Sequence, residues 1–360
     1  MSENERMILA INPGGSSTKV GLFRETKLIY EKNIRHKPEE LKEFSTTYAQ
    51  TPFRRELIEQ SLSEAGYSTA DLSAIVARGG AFKPLQSGTY RINGKLIEDI
   101  IDGSTLQADH PSNLGAAIAF EIAEEAGLTA YFVDPVCVDE MIDEARYSGL
   151  PELQRPTLSH ALNIRMVAYK ASERLNRKFD ELNMVVIHLG SGISINALRK
   201  GRMIDTSGAN DGGPFSPQRV GALPTTGLVK LCLTNEYTWK DLKKKLLKEG
   251  GLYAYTGSDH VGEIIKRAEA GDTNCEKAMN AFVYQIAKEA GAMSAVLKGD
   301  VDVIVITGGV AHEKWVTDKL TENLSFIAGI IVFPGEEELE ALMLGVHRIM
   351  NGIEEVKIYR

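Results

Sequence analysis

The chain reads as an α/β protein built from a duplicated β-β-β-α-β-α-β unit, and three observations predict it. Met7 to Lys19, MILAINPGGSSTK, is an apolar run entering a small-residue turn, and Met184 to Asn196, MVVIHLGSGISIN, repeats it about half a chain later. Both copies continue through a charged turn, Arg24 to Lys27 and Arg199 to Arg202, into a third short strand, Leu28 to Tyr30 and Met203 to Asp205. Beyond each third strand, helical patterns alternate with short apolar strands, which is how layered α/β domains are written.

In order along the first half, Arg54 to Ala65 reads as an amphipathic helix and Leu72 to Ala77 as a buried strand ending in Arg-Gly-Gly. GTYRINGKLIEDI, from Gly88, reads as a hairpin with Asn93-Gly94 as its two-residue turn. A helix starts at Asn113 and is closed by Gly127, and a short strand then runs to Asp134. Pro151 to Pro156 reads as a joint, and a helix from His160 to Leu175 leads into the second half. After its three strands come helices around Lys240 and Val261 and a long helix from Asn274 to Leu297. A strand to Thr307, a helix from His312, a strand to Phe333 and a last helix from Glu336 complete the repeat. The expected division is residues 1–150 and 151–360, two similar domains around a cleft, with the helix from about 336 packing back on the first.

A length of 360 residues favours two domains, and 43% apolar with 25% charged residues describes an ordinary soluble globular chain. The net charge of -8 argues against a general nucleic-acid binder, which needs a concentrated basic face. The one dense basic run, Lys240 to Lys248, spaces Leu242, Leu246 and Leu247 as a helix stripe and reads as a solvated helix face. Cys137, Cys232 and Cys275 are widely spaced and unpaired in pattern, so neither a disulfide framework nor a zinc site is expected, and a reducing cytoplasm fits. The polar start MSENER, and an apolar run broken by Asn12, Pro13 and two glycines, exclude an ordinary signal peptide. The longest apolar stretches are too short to span a bilayer, so no membrane partner is expected.

Glycines in the two repeated turns, Gly14, Gly15, Gly190 and Gly192, would reach positive φ and let backbone amides surround an anion. Their plainer use is to close tight hairpins. The duplication with matching flanks favours phosphate. Arg219 lies in a Pro/Gly-rich loop, PFSPQRVGALP, where an arginine is either presented to a ligand or left as a surface charge. Arg78 ends a strand before two glycines, at the sheet edge where α/β ligands bind or where a surface ion pair forms. His160 near a helix start could cap it or contact phosphate, and His110, in a loop before Pro111, is a weaker candidate. Asp134, directly before Pro135, either directs a carboxylate into the cleft or only opens a turn. Gly308 and Gly309, after an apolar strand, would let a nucleotide approach the backbone.

Four ordered motifs carry a family resemblance. They are INPGGSSTK from Ile11, TLSH from Thr157, HLGSG from His188 with MIDTS from Met203, and TGGV from Thr307. The repeated unit resembles the fold of sugar kinases, Hsp70 ATPase domains and actin, two ribonuclease H-like domains around a nucleotide cleft. Within that superfamily the motifs are similar to those of the acetate and butyrate kinases. ARGG at Ala77, VDPVCVDE at Val133 and the Arg219 loop look like the butyrate kinase branch. Three positions depart from the acetate kinase pattern: Ser191 stands for an Asn, Pro156 for a catalytic His, and Arg78 lies three positions on from a substrate Arg.

The resemblance implies ATP-dependent, reversible phosphorylation of a short-chain carboxylic acid with Mg2+, by a homodimer or larger homo-oligomer. Both reactants are anionic, so the chemistry asks for charge neutralisation and no general base. Arg219, His160, Asn12 and Ser17 would organise the phosphoryl groups, and Arg78 would hold the acid. Gly14, Gly15, Ser16, Ser17, Gly190, Ser191, Gly192, Gly308 and Gly309 would line the nucleotide. Asp134 and Glu337 would orient Mg2+, with Glu336 and Glu338 leaving that register open by one. His188 and His260 read as structural or peripheral, and Asp259 could face the adenosine. Acyl length stays open, because one methylene in an apolar pocket is worth only about 1 to 3 kcal/mol. Acetate, propionate and branched-chain kinases are therefore alternatives. An actin-like ATPase is the rival of another class, and the TLSH segment and the Arg219 loop speak against it.

Overall fold

A computed structural model describes residues 5–107, 111–234 and 236–360. The chain divides into two compact units, Met1–Asp139 with Glu337–Arg360, and Glu140–Glu336. The division thus falls after Asp139 rather than at 150, and the C-terminal segment from Glu337 groups with the first unit.

The strands in chain order are β1 (Met7–Pro13), β2 (Ser17–Arg24), β3 (Lys27–Arg35), β4 (Ala74–Arg78), β5 (Thr89–Arg91) and β6 (Ala130–Val133). In the second unit they are β7 (Asn183–Leu189), β8 (Ile193–Arg199), β9 (Arg202–Thr206), β10 (Val303–Gly308) and β11 (Gly329–Pro334), and β12 (Lys357–Ile358) returns to the first. The first sheet has the order β12-β5-β6-β4-β1-β2-β3, and the second β11-β10-β7-β8-β9. Its last five strands match the second sheet one for one. In each, the first three strands form an antiparallel meander and the other two run parallel to the first. Strand β5 pairs antiparallel with β6, and β12 parallel with β5, so only the first sheet carries this extension.

Central strands are apolar throughout because helices cover both faces of such sheets. All seven residues of β1 are buried. The helix Asn113–Ala126 approaches β4 closely through small residues: a side chain on Gly115 would start 2.6 Å from the Arg78 carbonyl oxygen. The helix Glu338–Met350 packs on β1, β4 and β6, where a Cβ at Gly345 would fall 2.5 Å from Val133. In the second unit, Asp272 caps the 24-residue helix Thr273–Val296 by accepting from the Asn274 and Cys275 amides. That helix lays Met279, Phe282 and Ile286 against Ile187 and Ile195 of the sheet. The helix Ala161–Arg174 packs on β7 and β10.

One element is corrected. Asn93-Gly94 is no hairpin turn: β5 ends at Arg91, and the helix Gly94–Asp102 begins there with Asn93 as its N-cap, Oδ1 accepting from the Leu96 amide. An Asn-Gly pair suits both roles, and the buried Leu96, Asp99 and Ile100 follow helical spacing. The other elements differ mainly at their ends. The helix expected from Arg54 is Thr51–Glu64, a short helix Pro38–Leu41 precedes it, and the third strand continues to Arg35. Among the described residues no helix is long and apolar enough to cross a membrane.

Candidate functional site

In the first unit the turn 14–17 joins β1 to β2, with Gly15 and Ser16 exposed at its tip. It is closed by a 2.7 Å bond from the Gly14 amide to the Ser17 carbonyl. Neither Gly14 nor Gly15 adopts positive φ, nor do Gly190 and Gly192 in the second unit, which corrects the reason given for those glycines. In the second unit they serve close approach. A Cβ on Gly192 would lie 2.3 Å from Arg219 Nη1, and one on Gly190 2.9 Å from Glu336 Oε1.

Asn12, buried near the end of β1, and Arg78, at the end of β4, meet at Glu338. Arg78 Nη1 donates to Asn12 Oδ1 at 3.4 Å and lies 2.8 Å from Glu338 Oε1, while Asn12 Nδ2 donates to Glu338 Oε2. Within the acidic run it is Glu338, one residue after the expected Glu337, that joins this cluster. Glu337 is exposed and occupies the N-cap position of the helix Glu338–Met350. Asp134 is 2% exposed and holds φ at +37°, an uncommon conformation for a residue with a side chain. Its Oδ1 accepts from the Gly88 amide at 2.7 Å, and its own amide donates back to the Gly88 carbonyl at 3.1 Å. This reciprocal pair joins the ends of β5 and β6. No cluster of three or more His, Cys, Asp or Glu side chains suited to a metal occurs among the described residues.

In the second unit, Arg219 Nη1 donates to the Ala209 carbonyl at 2.6 Å and to Asn210 Oδ1 at 2.9 Å, and burial pulls the guanidinium below its usual pKa. The Ser216 hydroxyl braces the loop, accepting from the Arg219 amide at 2.9 Å and donating to the Ser191 carbonyl at 2.5 Å. Arg219 and the 190–192 turn are therefore one assembly. His160 stands at the N-cap of Ala161–Arg174, with Nδ1 2.9 Å from Ser194 Oγ. Its ring stacks on His188, centroids 3.9 Å apart and planes 11° from parallel. His188 is held by Asn163 Oδ1 at 2.8 Å from Nδ1, and its Nε2 faces Glu336 Oε1 at 3.2 Å. His188, expected to be structural or peripheral, is thus the platform for His160, and on β7 it pairs with Ser194 of β8, the residue that His160 Nδ1 meets.

Gly308, at φ +93°, has no room for a side chain, since a Cβ would fall 2.3 Å from the Leu189 carbonyl oxygen. Gly309 is exposed with open space beside it. A cavity of roughly 300 Å³ is lined by Gly190, Ser191, Gly309 and Glu336 together with Asp259 and His260. The structure thus groups Gly190, Ser191 and Gly309 with Asp259, while Gly192 and Gly308 do not line this cavity. His110 lies outside the described residues.

Three comparisons bear on this geometry. Residues 157–338 match the family model described as the acetokinase family. A protein named probable butyrate kinase 2, from Caldanaerobacter subterraneus subsp. tengcongensis, is 46% identical over 352 residues, covering 98% of this chain and 99% of its own. Butyrate kinase 2 of Clostridium acetobutylicum is 42% identical over 354 residues, with 98% and 99% covered. The crystal structure of Porphyromonas gingivalis acetate kinase superposes with a TM-score of 0.78 at 20% identity, over 95% of this chain and 100% of that one, which is a likeness of fold.

Proposed function

Because the chain belongs to the acetokinase family of carboxylate kinases, we propose that it transfers the γ-phosphoryl group of ATP to butyrate, giving butyryl phosphate and ADP, and runs in reverse. The observation that carries the choice of butyrate is full-length similarity, above 40% identity, to relatives bearing that name. The site supports the reaction class, because it offers what an anion attacking an anion needs. Arg219 has no carboxylate partner among the described residues, and its guanidinium would stabilise the phosphoryl group in transfer. His160, fixed by Ser194 and by the His188 ring, would donate a hydrogen bond to a phosphate oxygen.

Arg78 spends Nη1 on Asn12 and Glu338 and keeps Nε and Nη2, which would hold the carboxylate of the acid. The first unit would then be the acid-binding side and the second the nucleotide side, with ATP along the glycines of the 300 Å³ cavity. Asp134 and Glu337 supply hard carboxylate oxygens of the kind Mg2+ takes beside phosphate oxygens and water. Bound there, the ion would neutralise charge on the β- and γ-phosphates.

We further propose a cytoplasmic homo-oligomer. The helix Thr225–Cys232 leaves Val229 exposed, with Leu233 exposed just beyond it, an apolar surface of the kind that would serve association. A coupled hydroxamate assay with ATP, Mg2+ and straight and branched acids of two to six carbons tests the activity. Butyrate should give the highest kcat/KM; a maximum at acetate or a branched acid would move the assignment within the family.

A further inference from the structure

Arg54 is a cation 1% exposed inside the first unit, with no carboxylate partner among the described residues. Burying an unpaired charge is costly, so what its donors hold is informative. Nη1 donates to the Gly14 carbonyl at 2.8 Å, to Thr18 Oγ1 at 3.1 Å and to the Ser17 carbonyl at 3.3 Å. Nη2 donates to the Gly15 carbonyl at 3.1 Å and to Gln50 Oε1 at 2.8 Å, and Nε to the same oxygen at 3.1 Å. The remaining carbonyl of the turn, that of Ser16, accepts from the His36 amide at 2.9 Å. Every carbonyl from Gly14 to Ser17 is therefore bound from the interior. The amides of exposed Gly15 and Ser16 have no partner among the described residues.

We propose that Arg54 is a positioning residue for phosphoryl transfer: it locks the 14–17 turn so that the Gly15 and Ser16 amides stay free for an anion, and lends an uncompensated positive charge to anion binding there. The proposal rests on the reading that this turn binds phosphoryl groups. A helix side chain placed only for packing would have no reason to gather three turn carbonyls while lacking an acid. The field is felt locally: burial first, and Arg54 second, hold His36 neutral down to about 4.

Gln50→Glu separates the two roles of Arg54, geometry and charge. The new carboxylate would keep both bonds to Arg54 and add a negative charge at the start of the helix Thr51–Glu64, which favours folding. It would also neutralise the cation behind the turn. Unfolding midpoints, with and without inorganic phosphate, and steady-state kinetics with butyryl phosphate are measured for the parent, Gln50→Glu, Arg54→Lys and Arg54→Met. Gln50→Glu should keep or raise the unfolding midpoint while kcat/KM for butyryl phosphate falls about tenfold or more, and Arg54→Lys should recover little of the activity lost in Arg54→Met. A folded Gln50→Glu or Arg54→Met protein with parental kcat/KM overturns the proposal. If the parent turned over no butyryl phosphate, the functional reading would fall by itself. The phosphate-induced rise in midpoint still tests Arg54: a smaller rise in Gln50→Glu supports it, and equal rises overturn it.

Discussion

Arg219 and Gly192 constrain each other, since any side chain at 192 would enter the volume of the guanidinium. That guanidinium is held by a backbone carbonyl and an amide oxygen and leaves its charge uncancelled, the arrangement expected of a group that stabilises charge in transit. Arg219→Ala should lower kcat by about 10³-fold or more, roughly 4 kcal/mol of barrier, while shifting KM for ATP and butyrate far less. Arg219→Lys should recover little, because a point charge lacks the planar fork. Near-normal turnover in Arg219→Ala, with unfolding curves matching the parent, would sink the assignment. His36 gives a pH effect of definite sign. An unfolded histidine takes up its proton near 6.5, whereas in the fold this ring, bonded to Thr18 Oγ1, does so only at about 4. Between those values the unfolded chain binds the extra proton, so stability rises with pH across the window and the penalty is gone above it, at most about 1.4 kcal/mol per pH unit. His36→Gln should flatten that part of the urea-midpoint profile; an unchanged slope would show that the proton is taken up elsewhere.

At the scale of elements, what could be read in the sequence was periodicity, and what could not was choice between two uses of the same residues. Both three-strand meanders, the long helix and the parallel strands follow from apolar runs and their turn residues. Asn93-Gly94 was misplaced because the pair serves a hairpin turn and a helix N-cap equally, and only the helical spacing of Leu96 and Ile100 decides. Arg54 enters the sequence reading only as the first residue of an amphipathic helix, yet it stands four residues before Ile58 and eight before Leu62, on the buried stripe of that helix. That stripe was the signal for it. Strand β12 left little trace, being two residues long, but it is anchored: Tyr359 is 1% exposed, its Oη donates to Asp99 Oδ2 at 2.8 Å, and its carbonyl accepts from Asn93 Nδ2 at 2.8 Å. Asn93 thus ties a helix start to the C-terminal strand, and Asn93→Ala should cost about 1 to 2 kcal/mol, the upper part of the range for a lost cap. Equilibrium urea unfolding checks it, and a loss no greater than a few tenths would mean that both bonds are replaced by water without penalty.

For the whole molecule, duplication was the decisive message of the sequence, and the two sheets repeat one strand order through different residues. The glycine-bearing turns were legible because both copies place them after the first strand. The side chain that holds the first turn was not, since Arg54 comes from a helix about 40 residues further along the chain than the carbonyls it binds. The central claim is that the chain passes a phosphoryl group from ATP to a carboxylate. Phosphorus NMR of the intact protein with ATP, Mg2+ and butyrate tests it directly, because an acyl phosphate and inorganic phosphate give separate resonances. Butyryl phosphate should appear in step with ADP and only when butyrate is present; ADP accompanied by inorganic phosphate alone, at one rate with or without the acid, would contradict this and favour an ATPase that moves no phosphate to a substrate.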